Sequence, residues 1–162
     1  MNSSKQKFIQ FVQQPVKFRL FLLSKLPSAF FSGVRVKSLD ENRSEVTVPY
    51  KWFSKNPFKS TYFACLAMAA ELSTGLLAMM NVHEKNPAIS MLVISLEANY
   101  FKKATGITVF VCEDGVAINN IVESAIASGE SKIIKCKSIG KSKEGEIVAE
   151  FFITWSFKAK KN

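Results

Sequence analysis

The sequence predicts an α+β domain in which one antiparallel sheet of about six strands wraps around a single long central helix. Three observations carry this. Residues 61–80, TYFACLAMAAELSTGLLAMM, hold no Lys, Arg, Asp, Asn or Pro and a single charge, Glu71. A helix that is apolar on every side belongs inside a domain or a bilayer. Its Ala, Leu and Met content favours helix over strand. Around it lie several runs of period-two alternation, two before and four after. Strands grouped on either side of one helix indicate α+β rather than a doubly wound sheet.

Taken in order, residues 5–13 (KQKFIQFVQ) and 16–26 (VKFRLFLLSKL) have helical apolar spacing interleaved with Lys and Arg, separated by Pro15 and ended by Pro27. Such a basic amphipathic segment either lies on lipid headgroups or packs on the domain's own sheet, the second being the commoner arrangement. From Val34 the period becomes two: Val34, Val36 and Leu39 lead to a turn at 40–43, then Val46, Val48, Tyr50 and Trp52 alternate with polar positions. Asn56-Pro57 reads as a turn, and the long helix is expected from Phe58 onward, capped by Ser60 or Thr61. Strands follow at 89–101 and 107–112. A helix at 116–128 ends on Gly129, placed as a C-cap. A hairpin of 132–139 and 146–157 closes the chain, with the tail 158–162 frayed. The domain reading is one unit: an N-terminal helical segment, 1–30, packed on a domain of residues 31–162.

With 162 residues, 48% hydrophobic content and 14 Phe, the chain can bury a real core. A membrane span is weighed against by Glu71 at the middle of the apolar stretch, because a mid-bilayer carboxylate costs about 2.5–3.5 kcal/mol even on lenient scales. Cys65, Cys112 and Cys136 lie far apart inside apolar runs, which reads as buried thiols in a reducing cytosol. The N-terminus, MNSSKQKF, lacks the pattern of a secretory signal, so a cytoplasmic protein is expected. The net charge of +9 suits a polyanionic partner or an anionic surface. The cations are dispersed and no nucleic-acid-binding motif occurs, so no nucleic-acid partner is expected. No residues have metal-ligand spacing and no glycine-rich phosphate loop is present.

Glu71 is the leading chemical candidate, since lost hydration raises a carboxylate's pKa toward the range where a general base works best. The other reading is a structural Glu paired with a Lys or bonded by Ser73, Thr74 or a strand hydroxyl. Asn56 either orients substrate or water or simply starts the turn before Pro57. Ser60 and Thr61 either offer donors at the helix N-terminus or cap it, and Tyr62 either offers a hydroxyl or packs in the core. His83, the sole histidine, sits in a polar loop where exposure is the default.

Asn56-Pro57, Ser60, Tyr62-Phe63-Ala64, Ala69-Ala70-Glu71 and Gly75 together resemble the helix entrance of the hotdog-fold acyl-CoA thioesterases, and more narrowly their thioesterase-like branch labelled DUF4442. The resemblance runs over about residues 20–157. In the phenylacetyl-CoA-type enzymes a His-Gly-Gly triplet opens the long helix and an acid follows seven residues after the second Gly. Here Tyr62-Phe63-Ala64 stands in place of the triplet, and Glu71 falls on the acid. The resemblance implies a thioesterase acting on acyl-CoA, with coenzyme A as part of the substrate and no other cofactor. It implies Glu71 as base or nucleophile, Asn56 as its partner in the catalytic set, and Ser60, Thr61, Tyr62, Phe63 and Ala64 around the substrate. It further implies a homodimer, with a tetramer as a compatible higher assembly, whose 89–101 strands pair edge to edge and whose cleft lies between subunits. Lys102 and Lys103 are candidates for the coenzyme A phosphates. The missing His-Gly-Gly and the Phe-rich interior sustain a second expectation, a non-catalytic module that binds an acyl chain or lipid.

Overall fold

The computed structural model describes residues 3–160. Three N-terminal helices, α1 (Ser3–Val12), α2 (Pro15–Lys25) and α3 (Pro27–Phe31), precede β1 (Arg35–Leu39) and β2 (Ser44–Val48). The central helix α4 (Phe63–Val82) is followed by β3 (Ile89–Tyr100), β4 (Thr108–Cys112), α5 (Gly115–Ser128), β5 (Lys132–Lys141) and β6 (Ile147–Ala159). The six strands form one sheet in the order β1-β2-β4-β5-β6-β3, every pair antiparallel. The predicted α+β hotdog arrangement is therefore present, with α4 packed against β2, β4, β5 and β6.

The core follows from the alternation read in the sequence. Along β6, Phe151, Ile153, Trp155 and Phe157 all turn inward, and they share one buried core with Leu72, Leu76, Leu77 and Met80 of α4. Five large buried side chains on α4, counting Leu66, contribute on the order of 10 kcal/mol of gross burial. The helix is long and apolar enough to cross a bilayer, yet 67% of its most apolar window is buried inside this domain. Phe8, Ile9 and Val12 of α1 and Phe18 and Leu22 of α2 join the same core, so the N-terminal segment packs on the domain. The three cysteines are free and buried, as expected, and burial pushes the Cys112 and Cys136 thiols up.

Several local expectations are corrected. The long helix begins at Phe63, not Phe58, because Asn56–Ser60 closes into a loop with Lys59 at positive φ (59°). Neither Ser60 nor Thr61 caps it, since both hydroxyls are spent elsewhere: Ser60 Oγ on Asn56 Oδ1, Thr61 Oγ1 on the Ala104 carbonyl. The β2 alternation does not extend to Trp52. The chain turns at Pro49, whose carbonyl accepts from Ser54 Oγ at 2.6 Å, and 52–54 forms a short 3-10 turn. α2 does end before Pro27, with Leu26 as its C-cap, and Pro27 opens a further short helix, α3, that was not expected. His83 is half-buried, its ring 5.3 Å from Phe8. β6 runs to Ala159 and Lys160 N–H donates to the Ala88 carbonyl, so 158–160 are not frayed. Residues 161–162 of the expected frayed tail, and residues 1–2 of the N-terminal segment, lie outside the described residues. Gly129 does close α5, at φ 68° with its N–H on the Ala125 carbonyl.

An all-apolar helix needs something beyond hydrophobicity to fix its rotation. Two buried hydroxyl ties supply it. Ser73 Oγ lies 2.7 Å from Ser138 Oγ of β5, and Ser44 of β2 donates to the Ser73 carbonyl. One residue on, Thr74 Oγ1 accepts the indole N–H of Trp155 from β6 at 2.9 Å. The near-isosteric Thr74→Val would leave that buried indole N–H without a partner. We expect a loss of about 1–3 kcal/mol in chemical denaturation, with the fold retained by circular dichroism.

Candidate functional site

The chain from Lys55 to Thr61 forms a closed loop, held by a bridge between those two residues. Asn56 organises it: its Oδ1 accepts from Phe58 N–H at 3.0 Å, Ser60 N–H at 3.2 Å and Ser60 Oγ at 3.2 Å. That is the turn-building role of asparagine. Thr61 anchors the loop's far end, donating both N–H (2.8 Å) and hydroxyl (3.1 Å) to the Ala104 carbonyl. The loop thus lies against the segment after β3. Between the two is a groove of about 560 Å³, lined by Asn56, Ser60, Thr61, Tyr62 and Phe63 on one side and Tyr100 to Ala104 on the other. Phe58, Tyr62, Phe63, Tyr100 and Phe101 make it largely aromatic.

The groove sits at the N-terminus of α4. Tyr62 holds the N-cap position and no side chain caps the helix. Cys65 and Leu66 N–H groups reach the Tyr62 carbonyl, but among the described residues the N–H groups of Phe63 and Ala64 have no hydrogen-bond partner. Two free donors at the positive end of a helix suit a negatively charged or strongly polarised oxygen.

Down the helix, Ala64, Ala67, Met68 and Glu71 are half-buried and spaced three and four apart, so they form one partly exposed stripe. Glu71 is about 12 Å along the helix axis from Phe63. Its carboxylate packs over Gly75 beside the Trp155 ring: a Cβ placed on Gly75 would lie 3.3 Å from Glu71 Oε1 and 3.5 Å from the indole. The structural pairings considered for it from sequence are not made. Ser73 Oγ donates to the Ala70 carbonyl and Thr74 Oγ1 to the Glu71 carbonyl, at 2.7 and 2.9 Å. Among the described residues no side chain hydrogen-bonds or ion-pairs with the Glu71 carboxylate, and burial raises its pKa above the ordinary value of 4.5.

The structure therefore gathers Asn56, Ser60, Thr61, Tyr62, Phe63, Lys102 and Lys103 around one groove. Ala64 and Glu71 lie outside its lining, on the stripe that leads away from it. Lys102 pairs with Glu146, and Lys103 Nζ is 3.3 Å from the Phe58 carbonyl. The facing Tyr100 and Phe101 were not legible in sequence, because their place depends on where the loop after β3 lands.

A domain of unknown function, DUF4442, matches residues 17–156. Among curated proteins none matches. Solved structures with the same fold include a Pseudomonas aeruginosa protein of unknown function described as a probable thioesterase, 20% identical over 90% of this chain and 97% of that one, TM-score 0.77. A Chlorobaculum tepidum protein of unknown function is 18% identical over 98% and 100%, TM-score 0.77. A Haemophilus influenzae thioesterase is 11% identical over 90% and 91%, TM-score 0.65. With the match running from α2 through β6 and the fold shared throughout, the chain belongs to the DUF4442 family.

Proposed function

We propose that the protein hydrolyses an acyl thioester, with Glu71 as the group that activates water. The observation that carries this reading is a carboxylate without a partner, dehydrated enough to hold its proton more tightly, on the same helix as two free N–H groups. In a dimer whose cleft lies between subunits, the thioester carbonyl oxygen would accept from the Phe63 and Ala64 N–H groups of one copy while Glu71 of the other faces it, since within one chain the two lie about 12 Å apart along the helix. Water attacks the carbonyl carbon as Glu71 takes its proton, and the negative charge that builds on the oxygen is met by donors already in place. Collapse of the tetrahedral species breaks the C–S bond, and the thiolate leaves with a proton to give free acid and thiol. Direct attack by the carboxylate, giving an anhydride that water then opens, would use the same geometry.

The aromatic groove is suited to an acyl or aryl group. Lys102 and Lys103 on its rim suit the phosphates of coenzyme A, which enters as part of the substrate, with no other cofactor. Assembly follows from β3, a twelve-residue edge strand with Leu92 63% and Ile94 50% exposed. An unpaired edge of that length is an aggregation hazard unless covered. Pairing with β3 of a second copy would extend the sheet and close the partly exposed stripe of α4 into an intersubunit cleft. We read the protein as a cytoplasmic homodimer.

Screening a panel of acyl-CoA thioesters for thiol release tests this. Turnover of at least one is expected, falling by about 10²- to 10⁴-fold in Glu71→Gln. Saturable binding with no thiol release from any of them would instead support the non-catalytic acyl-binding module that the missing His-Gly-Gly and the Phe-rich interior suggested. The acid limb of kcat/KM should lie above the ordinary carboxylate range. Stability offers a separate check. The unfolded chain ionises Glu71 near 4.5 and the folded chain only at a higher pH, so ionisation favours unfolding throughout that window. Relative to Glu71→Gln, the natural protein should therefore lose stability as pH rises above the ordinary carboxylate value of 4.5 and through the folded group's higher pKa, and gain none, as read by paired denaturation curves.

A further inference from the structure

Away from the groove, a continuous exposed apolar strip crosses the N-terminal helices and the turn after β2. Arg19 of α2 lies over the Phe30 ring at 3.9 Å, Phe30 meets Phe31 edge-on at 5.3 Å, Phe31 stacks on Phe53 at 5.6 Å, and Trp52 abuts Phe53 at 5.4 Å. Trp52 is 74% exposed, Phe53 58% and Phe31 52%. Leu23, four residues after Arg19 and so on the same helix face, is exposed as well. Through Ser54, whose carbonyl accepts the Tyr62 N–H, the strip reaches the loop that carries Phe58, itself 70% exposed at the groove mouth.

The charge around this strip has one sign. Residues 14–38 and 46–70, which build it, contain eight Lys and Arg and no Asp or Glu, and of these eight Lys37 pairs with Glu45 from between the two spans. Lys25, Lys51, Lys55 and Lys59 are exposed, and among the described residues none of them is in an ion pair. Exposed aromatic rings inside a purely cationic rim match an anionic bilayer surface, where Trp and Phe enter the headgroup region and Lys meets lipid phosphate.

We propose that this face is a docking surface for anionic lipid bilayers, centred on Trp52, Phe53 and Phe31 and seated by Lys51, Lys55 and Lys59. It differs from the amphipathic-helix attachment considered for residues 5–26: α1 spends Phe8, Ile9 and Val12 on the core. The inference needs no turnover and stands apart from the hydrolase reading.

The full chain would be co-sedimented with phosphatidylcholine vesicles, with and without phosphatidylglycerol. Tryptophan emission reports on the strip, because Trp155 is buried and only Trp52 faces solvent. Binding to the phosphatidylglycerol vesicles, a blue shift of Trp52, and at least about tenfold weaker binding to neutral vesicles or at high salt are expected. The double variants W52S/F53S and K51E/K55E, checked for unchanged thermal midpoints, should each weaken binding by about tenfold or more. No binding to anionic vesicles, or binding undiminished in both variants, would overturn the proposal. So would sedimentation velocity showing that W52S/F53S loses an oligomer present in the natural protein, which would assign the strip to a second copy.

Discussion

The orientation of α4 about its own axis decides everything that follows in this protein. An amphipathic helix finds its rotation from its apolar stripe. α4 has none to use, being buried at residue after residue on most of its circumference. Two hydroxyls do the work instead, Ser73 against Ser138 and Thr74 against the Trp155 indole, about 100° apart on the helix. Each is a buried polar group that has a partner in one rotation only, and losing it costs more than making it gains. With those ties made, Glu71 has to fall on the side where the sheet ends at β6 and β3.

The entrance of the same helix is shaped by a second long-range tie. Thr61 would be an ordinary N-cap by sequence, satisfying the first N–H groups of the helix itself. It instead gives both its donors to Ala104, forty-three residues away, and its oxygen is drawn off the helix axis. Two consequences share that cause: the loop is clamped to the segment after β3, forming the groove, and the helix N-terminus is left with free donors facing it. A locally sensible cap would have stabilised the helix by about 1 kcal/mol and blunted the site. Local and tertiary preferences conflict here, as they commonly do where a protein acts rather than merely folds.

This explains which parts of the structure were legible in the sequence. Periodicity gave the sheet and the central helix, because Phe151, Ile153, Trp155 and Phe157 alternate on a strand buried on that face. Glu71 stood out because a lone charge in an apolar helix has no cheap explanation. Gly129 was readable because left-handed backbone selects glycine. What escaped depends on partners distant in sequence. The helix start moved because Thr61 answers to Ala104; Trp52 left the strand because the chain turns at Pro49 and Ser54 holds that turn. The roles of Ser73 and Thr74 were invisible too, because neither Ser138 nor Trp155 lies near them in the chain. In the same way, Lys102 and Lys103 were named as a phosphate pair, but the sequence could not show Lys102 already matched to Glu146.

The placement of charge reveals how an anionic substrate and an acidic residue can coexist. Between Glu45 and Glu84 the chain carries one acid, Glu71, while Lys51, Lys55 and Lys59 lie in the same span and Lys102 and Lys103 edge the groove. Cations in that number would be expected to pull a carboxylate's pKa down. Burial pushes Glu71 the other way, and among the described residues no cation is in ion-pair contact with it. Lost hydration is local and unscreened, so it prevails. For the proposed hydrolase, the polyanionic end of a coenzyme A ester would rest on the lysine rim while the uncharged thioester lies along the helix. The base would then keep its raised proton affinity, because burial sets it and no described cation pairs with the carboxylate.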